Sequence, residues 1–213
     1  MTTWRLVAAA LAMSASAAQA DEIYSNEEEI YFAGEAGRPA PPWLGLRVRE
    51  ADGALAFQPL DRFGAAAAAS PGIVLTRTAP DRLSARWPDG RTSELRRARG
   101  FTCWMAIRKE GAPADATGEA AWEFRRGLSL HDQGGRARAG GGASGAPEAI
   151  LRMRNVVWPP GNPNRPSLVL YVHRPDDPER AVSYSWADPA ARLIGINLRW
   201  MQGSCTLDEE RPS

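Results

Sequence analysis

The sequence predicts an all-β protein: a single antiparallel β-sandwich or closed barrel of about ten short strands, preceded by a short N-terminal helix or hook. First, apolar and polar residues alternate at every second position, most clearly between residues 149 and 201, which is the period of a half-buried strand. Second, clusters of proline, glycine and aspartate separate these runs, as strand ends and turns require. Third, the length of 213 residues suits one β domain of this kind.

Residues 1–20 have the three-part layout of a secretory signal peptide. A positive start that ends at Arg5 is followed by an apolar stretch from Leu6 to Met13, and small residues lead to Ala18-Gln19-Ala20. This layout predicts cleavage after Ala20 and a periplasmic or secreted bacterial protein. The apolar stretch is shorter than the ~20 residues of a membrane-spanning helix, so we expect no transmembrane segment in the mature chain.

Residues 21–42 form an acidic N-terminal segment and a linker. Ile23, Ile30 and Tyr31 fall at helical spacing, which predicts the short helix or hook. The run Glu27-Glu28-Glu29 lacks the spaced ligands and glycine of an EF-hand loop, so we expect a solvated charge run rather than a calcium site. Glycine and proline between residues 34 and 42 end the helix.

Residues 43–213 are expected to form a single β domain. Its predicted strands cover residues 44–48, 54–58, 73–77, 82–87, 92–96, 101–108, 122–131, 149–158, 168–173 and 193–200. Between two of them, residues 133–147 consist mainly of glycine, alanine and arginine. This composition offers few large apolar groups for packing, so a mobile loop is expected there.

Cys103 and Cys205 are the two cysteines of the chain. Because an exported chain meets an oxidising compartment, we expect them to form a disulfide. A metal site is not expected, since two cysteines without a closely spaced partner make a poor zinc site.

Charge and motifs exclude several classes of function. The formal net charge is +1, and because Arg5 lies in the leader the mature chain is formally neutral; neutrality gives no reason to expect a nucleic-acid partner. Lys109 is the only lysine, and we attribute the abundance of arginine to codon usage in a GC-rich genome rather than to phosphate binding. Nucleophile elbow, zinc-protease, phosphate-loop and dinucleotide motifs are absent from the sequence, so no cofactor is expected.

The only two histidines, His131 and His173, stand at the ends of predicted strands. If strands 122–131, 149–158 and 168–173 form an antiparallel meander, both histidines lie at one sheet edge, ~9–10 Å apart. The same arrangement brings Arg152 and Tyr171 close, with Asp132 just beyond the strand end. The five side chains are therefore candidate ligand-binding residues; the alternative is that they are ordinary solvent-facing residues of a one-sided sheet.

These observations favour non-catalytic binding of a small ligand, a glycan or a protein partner of the cell envelope, because no catalytic motif is found. The alternative is a carbohydrate-active lyase or hydrolase in which the histidines, Tyr171 and Arg152 perform acid–base chemistry. A structural assembly protein would instead expose an apolar patch. Most tryptophans are expected in the core, whereas Trp104 falls opposite Cys103 and Met105 and is expected to be exposed.

Overall fold

A computed structural model describes residues 21–51, 54–68, 72–158 and 160–209, and it confirms the predicted all-β class. The predicted signal peptide and its cleavage site lie outside these residues. The strands are β1 (Glu22–Ser25), β2 (Gly45–Ala51), β3 (Ala54–Leu60), β4 (Val74–Ala79), β5 (Arg82–Arg86), β6 (Thr92–Arg97), β7 (Gly100–Arg108), β8 (Trp122–His131), β9 (Gln133–Ala139), β10 (Ala149–Val156), β11 (Ser167–Arg174), β12 (Asp177–Ala187), β13 (Leu193–Asn197) and β14 (Met201–Leu207). The helices are α1 (Glu27–Glu35) and α2 (Gly118–Ala121).

The strands form three antiparallel sheets. The first sheet has six strands in the order β3-β2-β1-β6-β5-β4, the second has the order β12-β11-β10-β9, and the third has the order β13-β14-β7-β8. The described strands outnumber the predicted ten, because the sequence pattern did not reveal β1, β9, β12 or β14.

The second and third sheets form a sandwich around one hydrophobic core. Alternate residues of β10, namely Ala149, Leu151 and Met153, are buried in it together with Leu168 and Leu170 of β11. The third sheet contributes Phe101, Cys103, Met105, Ile107, Met201 and Cys205. Burying such side chains stabilises the fold by about 25 cal/mol for each Å² of apolar surface removed from water. The apolar residues at every second position of these strands therefore hold the two sheets together.

The predicted disulfide is present. Cys103 of β7 and Cys205 of β14 are directly opposite each other in the third sheet, their Cα atoms 4.0 Å apart and their sulfurs bonded. The bond joins residues 102 positions apart in the chain, and both side chains are buried in the sandwich core.

The first sheet has a separate buried cluster. Its members include Tyr24, Leu46, Val48, Leu83 and Leu95, which come from β1, β2, β5 and β6. Within β2 the arginines between these apolar residues are exposed, as alternation predicts.

The N-terminal segment is part of the folded structure. The strand β1 lies between β2 and β6 in the middle of the first sheet, and α1 follows it as the predicted short helix. Ser25 donates a hydrogen bond of 2.9 Å from its hydroxyl to the Gln133 carbonyl, and this contact links the first sheet to the sandwich. None of the described helices is long and apolar enough to cross a membrane.

Two expectations about the chain between His131 and Ala149 are wrong. Residues 133–139 form the buried strand β9 rather than a mobile loop, because the alanines Ala137 and Ala139 fill the sandwich core where larger side chains are not needed. The assumed meander is also wrong, since β8 belongs to the third sheet whereas β10 and β11 belong to the second. The chain crosses from one sheet to the other at Asp132.

Candidate functional site

The outer face of the second sheet, which points away from the sandwich core, carries the candidate site. Arg136 of β9 is opposite Arg152 of β10, Arg152 is opposite Tyr171 of β11, and Tyr171 is opposite Tyr184 of β12. We call these four side chains the arginine–tyrosine row. Neighbouring strands are about 4.8 Å apart, so the row is about 14 Å wide. The Arg152 guanidinium carbon lies 5.8 Å from the centre of the Tyr171 ring, and the two tyrosine rings are 6.2 Å apart.

Glu27, the first residue of α1, covers the arginine half of this row. Its carboxylate accepts hydrogen bonds from Arg152 and from Arg62 Nη1 at 3.0 Å, and it lies 3.7 Å from Arg154 Nε. Only 2% of Glu27 is exposed. The expectation of a solvated acidic run is therefore wrong for this residue, because α1 docks its N-terminus onto the outer face of the second sheet.

The other two glutamates of the run are also bonded. Glu28 pairs with Arg96 at 2.8 Å, and Glu29 accepts hydrogen bonds from the Ser93 hydroxyl and from the Glu94 amide. The three carboxylates lie in the first turn of α1, where the helix dipole favours negative charge.

Arg136 is buried, with 4% of the residue exposed, and its partner comes from the rim of the site. Arg136 Nη2 donates to the carboxylate of Glu179 at 2.8 and 3.0 Å. The Glu179 side chain is 67% exposed. Partial burial raises the pKa of Glu179, but the hydrogen bond from Arg136 and its charge outweigh this, so the pKa is lowered. Nε of Arg136 has no hydrogen-bond partner among the described residues, and the same holds for Nε of Arg152.

His173 lies on the same outer face, two residues along β11 from Tyr171 of the arginine–tyrosine row. Its ring centre is 6.1 Å from that of Tyr171, and the residue is only 1% exposed. Burial, followed by the charges of Arg152 and Arg136, lowers the pKa of His173 from 6.5 to about 4. The backbone of Arg180 favours the protonated form, but neither ring nitrogen makes a hydrogen bond of good geometry. The imidazole is therefore neutral at pH 7.

His131 is the last residue of β8 in the third sheet, and the charge that acts on its ring is that of Glu27. Its pKa is also lowered to about 4, because burial outweighs the opposing effect of the Glu27 charge. Gly135 lies against it: a Cβ atom there would be 2.6 Å from His131 Cδ2. The sequence correctly placed His173, Arg152 and Tyr171 together, but it placed His131 in the wrong sheet.

Asp132 holds the corner between the two sheets of the sandwich rather than lining the site. Its carboxylate accepts hydrogen bonds from the Arg99 amide at 2.8 Å and from Arg99 Nε at 2.7 Å. Its carbonyl accepts a bond of 2.7 Å from the Asn155 amide. Burial raises the pKa of Asp132 although Arg99 opposes this. These contacts indicate a structural role.

The tyrosine half of the row opens onto an exposed aromatic strand. Tyr184 is 63% exposed and Trp186 is 71% exposed; they lie two residues apart on the same face of β12, about 7 Å apart along the strand. Val182, two residues before Tyr184, lies at a β-bulge and is half exposed. The strand β12 forms one edge of the second sheet. An exposed row of this kind is unusual unless it serves contact with another molecule.

Sequence reasoning did not assign seven groups to this site: Glu27, Arg62, Arg136, Arg154, Glu179, Tyr184 and Trp186. Arg136 fell in the segment interpreted as a loop, although arginine alternates with glycine and alanine there. That alternation of small and polar residues was the available signal. Glu27, Arg62 and Glu179 reach the site from other parts of the chain, and no local pattern marks them.

Two clefts lie elsewhere on the described surface, away from the arginine–tyrosine row. One, of about 430 Å³, lies on the third sheet beside Trp104 and Phe124, and Trp104 is exposed as expected, at 37%. The other is bordered by Glu22, Glu50 and Arg77, whose charges already pair with one another. Among the described residues, histidine, cysteine and acidic side chains form no group that could hold a metal ion.

The arginine–tyrosine row defines a class of site: a cationic, aromatic surface on a β-sandwich. The chain matches no protein-family model, and comparisons with curated proteins and with solved structures found no significant match.

Proposed function

We propose that this chain is an exported bacterial envelope protein that binds an anionic ligand, without catalysis, at the arginine–tyrosine row. The observation that carries this proposal is the imbalance of charge beside an open aromatic surface. Four guanidinium groups, those of Arg62, Arg136, Arg152 and Arg154, share two carboxylates.

A surplus of cations in a partly buried site attracts an anion strongly, because the low local dielectric screens charges less than water does. Arginine suits this role because its planar group binds carboxylate, sulfate or phosphate through two parallel hydrogen bonds. The unpartnered Nε atoms of Arg136 and Arg152 add to the argument, since an acceptor that reached them would relieve the cost of a buried, unsatisfied donor.

Export is supported by the layout of residues 1–20 and by the disulfide, which forms in oxidising compartments. Both features support a periplasmic or secreted location. The neutral charge of the mature chain gives no support to nucleic acid as the anion.

Calorimetric titration with galacturonate and with sulfate tests the proposal. We expect binding that weakens as salt is added and that falls about tenfold in Arg136→Gln, because a charge-assisted hydrogen bond is lost. Arg125→Gln is the matched control, since this arginine lies on the third sheet and its side chain is 58% exposed; it should bind like the unchanged protein. A folded protein that binds no anionic probe, or an Arg136→Gln variant of full affinity, would refute the proposal.

A catalytic alternative is favoured by one observation, the contact of the neutral His173 with Tyr171. A neutral imidazole can accept a proton and a phenol can donate one, which is the acid–base pair that a polysaccharide lyase or hydrolase needs. Arg152 would then neutralise the charge of the substrate. Polysaccharide cleavage by the unchanged protein that disappears in both His173→Ala and Tyr171→Phe would favour this alternative, whereas cleavage that survives in the variant lacking both histidines would exclude it.

A further inference from the structure

We infer that the ligand of this site is an acidic oligosaccharide, whose carboxylate replaces that of Glu179 on Arg136 and whose sugar rings stack on Tyr184 and Trp186. This inference rests on the proposed anion binding and names the class of anion. Its two parts depend on separate features of the structure: an exchangeable carboxylate and an exposed aromatic strand.

The first feature is the unequal burial of the Arg136–Glu179 pair. The Arg136 side chain is 3% exposed, whereas that of Glu179 is 67% exposed. Arg136 is thus fixed in the sheet, and its partner is a side chain at the rim that can turn into solvent. Exposed carboxylates contribute little to stability, so a ligand carboxylate can displace Glu179 without disturbing the fold. Glu179 therefore stands where the acidic group of the ligand would bind.

The second feature is the direction in which the site continues. From Arg136 the row leads through Arg152 and Tyr171 to Tyr184 at the sheet edge, and Trp186 lies beside Tyr184 on the same strand. A ligand anchored at Arg136 therefore extends over aromatic faces. An inorganic anion would leave these rings unused, because it has no apolar surface.

Sugar rings combine the two properties that this surface requires. Their axial C–H groups form apolar faces that pack on aromatic rings, and their hydroxyl groups stay in water. The rings of Tyr184 and Trp186 are large, rigid and amphipathic, so little conformational freedom is lost when a ligand covers them. A uronic acid adds the carboxylate that the arginines need. A flat, open platform on one side of a buried cation suits a chain of several such units better than a single one.

The affinities of tetragalacturonate and of monomeric galacturonate, measured by calorimetry, test the inference. Tyr184→Ala and Trp186→Ala should each weaken tetragalacturonate binding about tenfold and leave monomer binding within about twofold. Trp104→Ala removes an exposed tryptophan from the other sheet, and it should change neither affinity.

Glu179→Gln should strengthen the binding of both ligands about threefold, because the competing carboxylate is gone. Asp176→Asn is the matched control: this carboxylate is on the same hairpin, is 72% exposed and pairs with Arg174. It changes the net charge equally, so equal gains in both variants would show a general charge effect and overturn the exchange.

The outcomes separate the two proposals. If neither saccharide nor sulfate binds, the proposed anion binding fails. If the monomer and sulfate bind but tetragalacturonate gains nothing from Tyr184 and Trp186, the anion site stands and the oligosaccharide inference is overturned. If size-exclusion chromatography shows a dimer that Trp186→Ala dissociates, the aromatic strand is a contact between two copies of the chain, and the inference is again overturned.

Discussion

Replacing the two buried histidines should make the protein markedly less sensitive to acid. Burial lowers the pKa of both His131 and His173 from 6.5 to about 4. Below pH about 6.5 the unfolded chain takes up these protons while the folded protein does not. Each histidine therefore contributes stability that is fully present above pH about 6.5, is lost progressively as the pH falls below that value, and is completely lost once the pH is below the folded-state pKa of about 4.

The shift sets the size of the effect. One pKa unit corresponds to about 1.4 kcal/mol, so a downward shift from 6.5 to about 4 removes roughly 3 kcal/mol of unfolding free energy per histidine once the pH is below the lower value. The two together amount to roughly 6 kcal/mol, which is comparable to the whole stability of many domains. The neighbouring charges that oppose or favour this shift are Glu27 at His131, and Arg136, Arg152 and Glu179 at His173.

Urea unfolding, followed by tryptophan fluorescence between pH 7.5 and pH 4.5, measures this dependence. The variants His131→Gln and His173→Gln keep a polar side chain that cannot titrate. Each should flatten the fall of the unfolding free energy by about 2 to 3 kcal/mol over this range, and the double variant by about twice as much. Because each variant is compared with itself at two pH values, a constant loss from the substitution cancels. Superimposable pH profiles for the unchanged protein and the double variant would refute the assignment of neutral, buried imidazoles.

Three further changes test the framework around the site by urea unfolding. Replacing Cys103 and Cys205 together by alanine should cost about 4–5 kcal/mol, since the bond closes a loop of 102 residues; a loss below about 1 kcal/mol would contradict this. Glu27→Gln should cost about 3–5 kcal/mol, because it leaves buried guanidinium groups without their counter-ion; a neutral effect would show that these arginines find other partners. Gly134→Ala should cost at least about 2 kcal/mol, as its φ is +83° and a Cβ would lie 2.6 Å from the Glu27 side chain, whereas Gly142→Ala, where a Cβ meets nothing within 4 Å, should be neutral.

Local alternation was sufficient to predict ten of the described strands and to place Arg152 and Tyr171 near each other on one sheet face. The strand from Trp122 to His131 was predicted at its observed bounds. Residues directly opposite in neighbouring strands follow from the register of one hairpin, and the register follows from which face is apolar. The pairing of Arg152 with Tyr171 is of this kind. The disulfide was predictable because two cysteines allow one pairing.

The sheet to which each strand belongs was not predictable in the same way. Strand β8 runs directly into β9, and a corner at Asp132 carries the chain from the third sheet to the second. The apolar pattern of β8 would be the same in the second sheet as in the third, because both sheets bury one face in the same core. The position of His131 depends on the sheet to which β8 belongs. The two histidines therefore lie in different sheets and not at one sheet edge as expected.

The acidic run at the start of α1 illustrates the other limit of sequence reasoning. Taken alone, three consecutive glutamates favour a solvated surface, and nothing near them in the chain carries compensating charge. Their partners are Arg62, Arg96, Arg152 and Ser93, which follow at least 35 residues later. Only the fold brings them together.

The position of Glu27 also explains why the site can be cationic and stable at once. Several buried arginines without a counter-ion would repel one another, and each would lose hydration. Glu27 compensates part of that charge from beneath the helix, where it is inaccessible, while Glu179 compensates a further part from the rim, where it is exposed. Neutral His173 adds no further positive charge at pH 7. A fixed inner carboxylate and an exchangeable outer one therefore preserve the fold and leave one guanidinium free to change partners, which a binding site for an acidic ligand requires.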